Sequence, residues 1–287
     1  MRIKVKILFL IGVVVALAAC SNIGEDERLI YVKPAPAKRV VLLEDFTGQR
    51  CVNCPLGAEV IEQLEQTYGD TALIAVSIHG GPLGFAGNAR YVGLATEAGD
   101  KYFAHWGLEY QPVALVNRHE AVSYIDWTAA GREEMNKQAP LEMSVHATLS
   151  DGQIEITVGA YGTDGQVAGQ LQVWIVEDHI IALQMMPDAT ANTEYVHRHV
   201  LRAPVNGLWG EAFSIEEGER KEVRLTSEAD ESWDEAQLSV VAFVYNDGGV
   251  LQAAKTLPLR SRGSLTPDRC ATTGEPLATP SALKFEH

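Results

Sequence analysis

Residues 39–55 read RVVLLEDFTGQRCVNCP, a short apolar run followed closely by a Cys-x-x-Cys-Pro motif. The run 39–44 is rich in valine and leucine, which is typical of a buried β-strand. Pro55 lies where a first helical turn would begin, and its missing N–H leaves no hydrogen bond unmade there. Apolar side chains then recur at helical spacing until Gly69, a residue type that often ends helices; they are Leu56, Val60, Ile61, Leu64 and Tyr68. The pattern therefore places both cysteines at the N-terminus of a helix.

That placement has a chemical consequence for the cysteine pair. A thiolate is the nucleophile in disulfide exchange, and the unpaired N–H groups of a helix N-terminus stabilise it. We expect Cys51 to be the exposed, attacking sulfur and Cys54, one turn later, to resolve the mixed disulfide. The neighbouring Arg50 would lower the pKa of Cys51 further if its guanidinium lies close to the sulfur.

Two other roles for the pair stay open. A structural zinc site needs about four ligands, and the sequence has no second Cys-x-x-Cys and no His-x₃-His motif. An inert structural disulfide between Cys51 and Cys54 is the more serious alternative. The sequence indicates neither a metal nor a cofactor.

Two segments of the chain resemble the thioredoxin superfamily. DFTGQRC at 45–51 is similar to its Asp-Phe-Trp-Ala-x-Trp-Cys stretch, and WGLEYQPV at 106–113 is similar to its Tyr-Gly-Ile-x-x-x-Pro-Thr segment. The resemblance implies an α/β thioredoxin-like domain in which Asp45 is the buried acid that assists proton transfer to the second cysteine. It also implies that Pro112 follows a cis peptide bond and faces the pair, so that Arg50 and Gln111 border a groove for an extended substrate.

The match has departures from the family pattern, and these keep the structural disulfide open. Arg50 replaces the usual aromatic residue, and Val-Asn replaces Gly-Pro between the cysteines. The stretch up to Pro112 is longer than in a minimal thioredoxin. It contains a glycine-rich loop at 80–84 and helix-like patterns at 89–98 and 100–106, which we interpret as an inserted cap over the active-site side. A strand at 113–116 and a helix at 126–138 complete a domain predicted to span 39–139.

The second half of the chain has the period-two alternation of β-strands. Alternating segments separated by Asp-Gly turns predict seven or eight strands, and hence an all-β immunoglobulin-like sandwich over 140–259. One predicted strand covers 195–202, which would place His197 and His199 on the same face, either as ordinary polar residues or as a metal-binding or pH-sensitive pair. Residues 260–287 are expected to form a flexible tail that carries the unpaired Cys270.

The N-terminus predicts export and a lipid anchor. Residues 1–19 combine a positive start with an apolar run, which is typical of a signal peptide. Leu17-Ala18-Ala19-Cys20 resembles the lipobox of bacterial lipoproteins, which implies that Cys20 is lipidated and becomes the first residue of the mature chain. Residues 20–38 then form the lipidated cysteine and a tether. The predicted location is the outer membrane, facing the periplasm or the cell surface.

Composition limits the classes of partner. The 287 residues carry 23 Lys and Arg against 38 Asp and Glu, a net charge of −15, which argues against a nucleic-acid binder. The expected partners are the membrane, through the anchor on Cys20, and extracytoplasmic protein thiols or disulfides. The oligomeric state is not predicted.

A closer resemblance links both halves of the chain. The pattern Glu-Asp-Phe-Thr-Gly-x-x-Cys-Val-Asn-Cys-Pro, together with YVHRHVLR at 195–202 and GLWGE at 207–211, is similar to the twenty-eight-kilodalton outer-membrane lipoprotein family of Bacteroidetes.

Together, the cysteine motif and the thioredoxin resemblance favour an exported thiol–disulfide oxidoreductase that uses Cys51, Cys54, Asp45 and Pro112. The alternative is a non-enzymatic binding or adhesin-like lipoprotein with a structural disulfide.

Overall fold

A computed structural model of the chain describes residues 32–69 and 71–259. The predicted signal peptide, the anchor on Cys20, the tail at 260–287 and Cys270 lie outside the described residues. The chain divides into two units, Met1–Ala35 and Pro36–His287. All helices and strands of the described residues lie in the second unit.

The first half of this unit alternates short strands with three helices. The predicted helix after the cysteine motif and the predicted strand at 113–116 are both confirmed, whereas the region 89–106 holds one helix instead of two patterns. The elements are β1 (Ala37–Lys38), β2 (Val41–Thr47), α1 (Cys54–Tyr68), β3 (Leu73–His79), α2 (Glu97–His105), β4 (Val113–Val116), β5 (Ala121–Ser123), α3 (Trp127–Met135) and β6 (Gln138–Ala139).

The second half contains only strands, apart from one 3₁₀ turn at 235–237. These are β7 (Leu141–Ser150), β8 (Gln153–Gly162), β9 (Val167–Glu177), β10 (Ile180–Met185), β11 (Ala191–His197), β12 (Val200–Pro204), β13 (Glu211–Ile215), β14 (Arg220–Glu228), β15 (Leu238–Asn246) and β16 (Gly249–Lys255).

The predicted single strand at 195–202 is wrong. Strand β11 ends at His197 and β12 begins at Val200, and between them His199 has a left-handed backbone with φ of 56°. The carboxylate of Asp178 accepts a hydrogen bond from the His199 N–H at 2.7 Å, so the bend has a partner of its own. His197 and His199 therefore do not share a strand face.

One sheet runs through both halves of the chain. Its nine strands follow the order β16-β15-β9-β12-β3-β2-β4-β5, with β13 paired to β9. The halves meet where β12 lies parallel to β3, and there the Ser77 N–H donates to the His199 carbonyl at 2.7 Å. The predicted boundary between 139 and 140 thus separates two sequence patterns, but the sheet is continuous across it. The described chain is mostly β-sheet with a few short helices.

A second sheet of three strands, β14-β8-β7, packs on the β9–β15 part of the large sheet. Its inward side chains alternate along each strand, as the period-two pattern predicts. The shared core contains Leu141, Val145, Ile154, Ile156 and Val158 from the small sheet and Leu171, Val173, Val240 and Ala242 from the large one.

Strand β2 is buried along its whole length and separates two further cores. Val41 and Leu43 face α1 and α3, while Leu42 and Phe46 face α2. Because successive side chains of a strand point to opposite faces, the adjacent acids of β2 must also separate. Glu44 lies on the α2 side, and Asp45 lies on the α1 side.

Glu44 is neutralised by Arg118, which lies in the turn after β4. Both guanidinium nitrogens Nε and Nη2 bond the carboxylate at 3.1–3.2 Å, and each side chain is only 1% exposed. The rings of Tyr245, Phe243 and Trp174, all from the second half, surround the guanidinium at 4.1–5.6 Å. Burial alone would lower the pKa of Arg118, but the charge of Glu44 and its hydrogen bonds raise it above the usual value. The ion pair therefore joins the first half of the sheet to the second.

We predict that Arg118→Met lowers the free energy of unfolding by about 3–5 kcal/mol, because it leaves the Glu44 carboxylate buried and unpaired. Urea unfolding measures the change. Arg224→Met is the matched control, since its ion pair with Glu222 is exposed and worth about 0–1 kcal/mol. Equal stability of the two variants would show that the Glu44–Arg118 pair does not connect the two halves as inferred.

Candidate functional site

Cys51 and Cys54 form a disulfide bond at the start of α1. Cys54 is the first residue of the helix, and Cys51 lies in the preceding turn, where its N–H donates to the Gly48 carbonyl at 3.0 Å. Cys51 is only 1% exposed and Cys54 only 3%. The prediction that Cys51 is exposed is therefore wrong, whereas its role as the attacking sulfur stays a prediction.

The first cover of the turn that carries Cys51 is the glycine-rich loop at 80–84, one part of the predicted cap. The Arg50 N–H donates to the Leu83 carbonyl at 3.1 Å. A side chain on Gly48 would place its Cβ 2.3 Å from that same carbonyl oxygen, so only glycine permits the loop to approach so closely.

The residues predicted to border a substrate groove have other contacts. The Gln111 amide donates to the carbonyls of Thr47 and Gly80 at 2.6 and 3.0 Å, and its oxygen accepts from the Leu83 N–H at 3.2 Å. Arg50 is exposed, and its guanidinium lies 5.1 Å from the centre of the Phe85 ring. The Gln111 side chain is thus engaged by the capping loop, and the predicted groove at Arg50 and Gln111 stays a prediction.

The second cover is the hairpin of β10 and β11, which forms a small sheet separate from the others. The Gln184 amide donates to the Cys51 carbonyl at 2.8 Å, and the Met185 N–H donates to the Gln49 carbonyl at 2.9 Å. The buried Gln49 side chain in turn donates to the Leu183 carbonyl at 2.9 Å. The turn that carries Cys51 is thus bound on one side by loop 80–84 and on another by this hairpin.

Pro112 follows a cis peptide bond, as the thioredoxin resemblance implies. It is buried beside the first turn of α1, where a Cβ built on Gly57 would lie 3.4 Å from the Pro112 Cβ. Its predicted role in shaping a substrate groove stays a prediction.

A cavity of about 290 Å³ reaches the disulfide from the other cysteine. Cys54 lines it and Cys51 does not. One wall is α1, another is the end of the β2–β3 pair, and the third is β11. The parallel register sets Asp45 beside Ser77 and Thr47 beside His79, so all four side chains face the same cavity.

Asp45 lies at the floor of this cavity and is 2% exposed. Burial raises the pKa of its carboxyl to about 8, and a hydrogen bond from Ser77 opposes that rise only in part. The group is therefore largely protonated at neutral pH. Its Oδ1 atom has no hydrogen-bond partner within the described part of the chain.

Two buried histidines adjoin Asp45. The rings of His79 and His197 lie 5.2 Å apart at 70° to one another. Burial lowers the pKa of His197 to about 4 and lowers that of His79 well below its usual value, so both rings are neutral at neutral pH. Tyr195 closes the outer side, and its pKa is raised by burial and by the nearby Asp45.

The sequence did not reveal the residues that complete this site from the second half. The apolar run IIALQM at 180–185 ends shortly before Pro187, and that pattern could have indicated the missing strand β10. Nothing local could have paired Gln184 with Cys51, 133 positions earlier.

The described residues hold neither a metal site nor a membrane span. Within 32–69 and 71–259, no three His, Cys, Asp or Glu side chains cluster in a way that would bind a metal ion. The disulfide bond also takes both cysteines out of the zinc alternative. None of the helices in these ranges is long and apolar enough to cross a lipid bilayer.

A family model described as outer membrane protein Omp28 matches residues 99–259, which is more than half of the 287-residue chain. The chain belongs to this family. The predicted family and the predicted location at the outer membrane are thereby confirmed. The match to the Omp28 model begins after the cysteine pair and includes the hairpin that covers it.

Solved structures similar to this Omp28 family member include HBP35 of Porphyromonas gingivalis, with a TM-score of 0.61 and 19% identity over 88% of this chain and 83% of that one. A protein of Agrobacterium tumefaciens matches with a TM-score of 0.49 and 16% identity over 79% of this chain and 97% of that one. A domain of the outer membrane lipoprotein Omp28 from Porphyromonas gingivalis covers 43% of this chain and 91% of its own, with 23% identity and a TM-score of 0.32. No curated protein matches. At its identity, the likeness to HBP35 bears on the fold, and it extends over both halves of the chain.

We predict that Asp45→Asn stabilises the protein increasingly as pH rises from about 4 to 8. The unfolded carboxyl ionises near 3.8 and the folded one near 8, so wild-type stability is lost across this window, whereas Asn has no proton to lose. The gain at pH 8 should be roughly 3–5 kcal/mol. Urea unfolding over this pH range measures it, with Glu228→Gln as a control for net charge. A difference that does not change with pH would contradict the assignment.

We also predict that Gln184→Ala speeds reduction of the Cys51–Cys54 disulfide by dithiothreitol about tenfold, because it removes the hydrogen bond that ties the hairpin to Cys51. Thiol labelling over time measures the rate. Gln166→Ala, which removes an exposed glutamine bonded to Glu216, should leave the rate unchanged. If both variants react at the wild-type rate, the hairpin does not limit access to the disulfide.

Proposed function

We propose that the protein is a lipid-anchored thiol–disulfide oxidoreductase of the cell envelope, which exchanges disulfides with protein thiols through Cys51 and Cys54. The single observation that carries the proposal is the position of Asp45. A protonated, buried carboxyl and a cysteine of the pair line one cavity, at the start of a helix.

The burial of Asp45 has a cost that a purely structural disulfide does not require. A buried carboxyl with an unpartnered oxygen is expensive to fold, and nothing in a structural disulfide depends on it. Groups with strongly perturbed pKa values concentrate at functional sites. A pKa of about 8 suits a group that gives a proton to a leaving thiolate near neutral pH and takes it back.

The order of elements also supports a thioredoxin-like arrangement over residues 41–135. Strands β2 and β3 are parallel and connected by α1, while β4 runs antiparallel to β2, and β5 runs antiparallel to β4 and leads into α3. The cysteine pair precedes α1, and the cis peptide bond precedes β4. These are the positions that the sequence resemblance assigns to the cysteines and the proline.

The exchange needs no reagent other than the client thiols and the disulfide of the protein. A client thiolate attacks the Cys51 Sγ, the bond to Cys54 breaks, and the Cys54 thiolate takes the proton of Asp45. A second client thiolate attacks the client sulfur of the mixed disulfide, and Cys51 leaves as a thiolate. The client has then lost two electrons by forming a disulfide, and the protein pair has gained them. The reverse steps reduce a client, and relative potentials set the direction.

Access to Cys51 is the physical requirement that this reaction adds. Cys51 is buried, and loop 80–84 and the β10–β11 hairpin both bind the turn that carries it, so a protein client is expected to reach Cys51 only when one of them moves away. Covers of this kind restrict which molecules react with a disulfide.

The second candidate is a non-enzymatic outer-membrane or surface binding lipoprotein in which the pair is a structural disulfide. The burial of both cysteines favours it, since inert disulfides are typically shielded. This second candidate does not explain why Asp45 is buried.

We predict that the full chain in detergent accelerates reduction of insulin by dithiothreitol, and that Asp45→Asn slows this activity about 10²-fold because no side chain then carries the proton. Turbidity of the released insulin chain measures the rate. The Cys51→Ser, Cys54→Ser double variant is the blank.

Trapping gives an independent readout of the same pair. Cys54→Ser should retain a client protein through a mixed disulfide on Cys51, and the double variant should not. No acceleration together with no trapped client would leave the structural disulfide as the function of the pair.

A further inference from the structure

The cavity beside Cys54 has a floor of unsatisfied polar atoms. Oδ1 of Asp45, Nδ1 of His79 and Nε2 of His197 are buried and have no hydrogen-bond partner among the described residues. All three side chains are at least nine-tenths buried and line the same cavity. Native proteins seldom leave buried polar atoms unpaired, and a cluster of them around a hollow indicates a polar occupant.

The mouth of the cavity has a definite charge. Glu59, Glu62 and Glu65 project from successive turns of α1. Arg198 and His199 line the same cavity, and the His199 Nε2 lies 3.3 Å from the Glu65 Oε1, which leaves Glu59 and Glu62 as the acids of the mouth. His79, His197 and the protonated Asp45 bring no charge to the floor near neutral pH. The acidic mouth therefore selects a small cation, while the neutral floor selects a group that hydrogen-bonds.

The cavity reaches the disulfide through Cys54. Cys54 lines the cavity, whereas Cys51 lies beneath the loop and the hairpin. A small molecule in the cavity thus lies against Cys54 without any movement of these covers. The volume of about 290 Å³ is at the lower end of small-molecule sites and excludes a folded client.

We infer that the cavity binds a small aminothiol, a molecule with an ammonium group for the glutamates at the mouth and a thiol that reaches the Cys54 Sγ. The inference rests on the redox activity proposed above and names a second substrate class for the same pair. It assigns the first attack to Cys54 for small thiols and to Cys51 for protein clients.

The reaction with an aminothiol is also balanced. Its thiolate attacks the Cys54 Sγ, the Sγ–Sγ bond breaks, and Cys51 leaves as a thiolate. A second aminothiol attacks the sulfur of the first, which releases a symmetrical disulfide and the Cys54 thiolate. The two thiol protons of the aminothiols end on Cys51 and Cys54, and two electrons pass to the protein pair.

The test compares cysteamine, which is cationic, with 3-mercaptopropionate, which is anionic, as reductants of the full chain in detergent. Each rate is divided by the rate of the same thiol with bis(2-hydroxyethyl) disulfide, which removes their intrinsic reactivity. We expect cysteamine to be favoured about tenfold at low salt. Glu59 and Glu62 at the mouth attract the ammonium group of cysteamine and repel the carboxylate of 3-mercaptopropionate. Glu59→Gln with Glu62→Gln should abolish most of the preference. Glu155→Gln with Glu228→Gln, on the three-stranded sheet, removes the same net charge and should leave it intact.

The site of attack is read separately in the single-cysteine variants. Cys51→Ser incubated with cystamine should form an adduct on Cys54 at least tenfold faster than Cys54→Ser forms one on Cys51, as located by peptide mass mapping. Equal normalised rates for the two thiols, or faster labelling of Cys51, would overturn the inference. If the protein reduces insulin but does not prefer cysteamine, the proposed function holds and the aminothiol inference is overturned. If it prefers cysteamine but does not reduce insulin, the aminothiol site holds and the proposed action on protein clients is overturned.

Discussion

The buried contact between Glu44 and Arg118 constrains the rest of this structure, because it is where the two halves of one sheet are locked together. Arg118 comes from the turn after β4, yet three of the rings around its guanidinium come from β9 and β15. The preceding residue adds to the same junction. The Asn117 side chain accepts from the Leu42 N–H at 2.8 Å and donates to Glu134 at 3.0 Å, and its carbonyl accepts from Val250. A turn of two residues thus binds β2, α3 and β16 at once.

Glu44 and Asp45 show how strand geometry gives two neighbouring acids opposite roles. Both are buried on β2, and burial raises the pKa of both carboxyls. Glu44 points to the aromatic side, where Arg118 supplies a charge and bidentate hydrogen bonds. Asp45 points to the α1 side, where no cation compensates it and it stays protonated near neutral pH. The first acid is paired within the fold, and the second is the one to which we assign the proposed proton transfer.

The candidate site is a composite of distant parts of the chain. The first half supplies the disulfide and Asp45, and the second half supplies the hairpin that covers Cys51 and carries His197. The junction at Arg118 fixes the position of β2 relative to the strands that lead into the hairpin. It therefore helps to hold the two parts of the candidate site together. The Omp28 model covers this second half together with α2 and β4. The match to the Omp28 model therefore includes the hairpin beside the cysteine pair but not the pair itself.

Local features of this protein could be read from its sequence, because they depend on neighbours within a few positions. The helix that begins at Cys54, the strand at 113–116 and the alternating strands of the second half follow from periodicity, and the cis bond before Pro112 followed from a motif. Features that depend on contacts across more than a hundred residues could not be read. Strand patterns do not encode their partners, so the continuous sheet and the pairing of β12 with β3 arise only on folding. The burial of Cys51 has the same origin, since the amide that binds its carbonyl comes from Gln184. Sequence spacing placed the cysteine pair at the start of a helix, and tertiary packing buried Cys51 and left Cys54 lining the cavity.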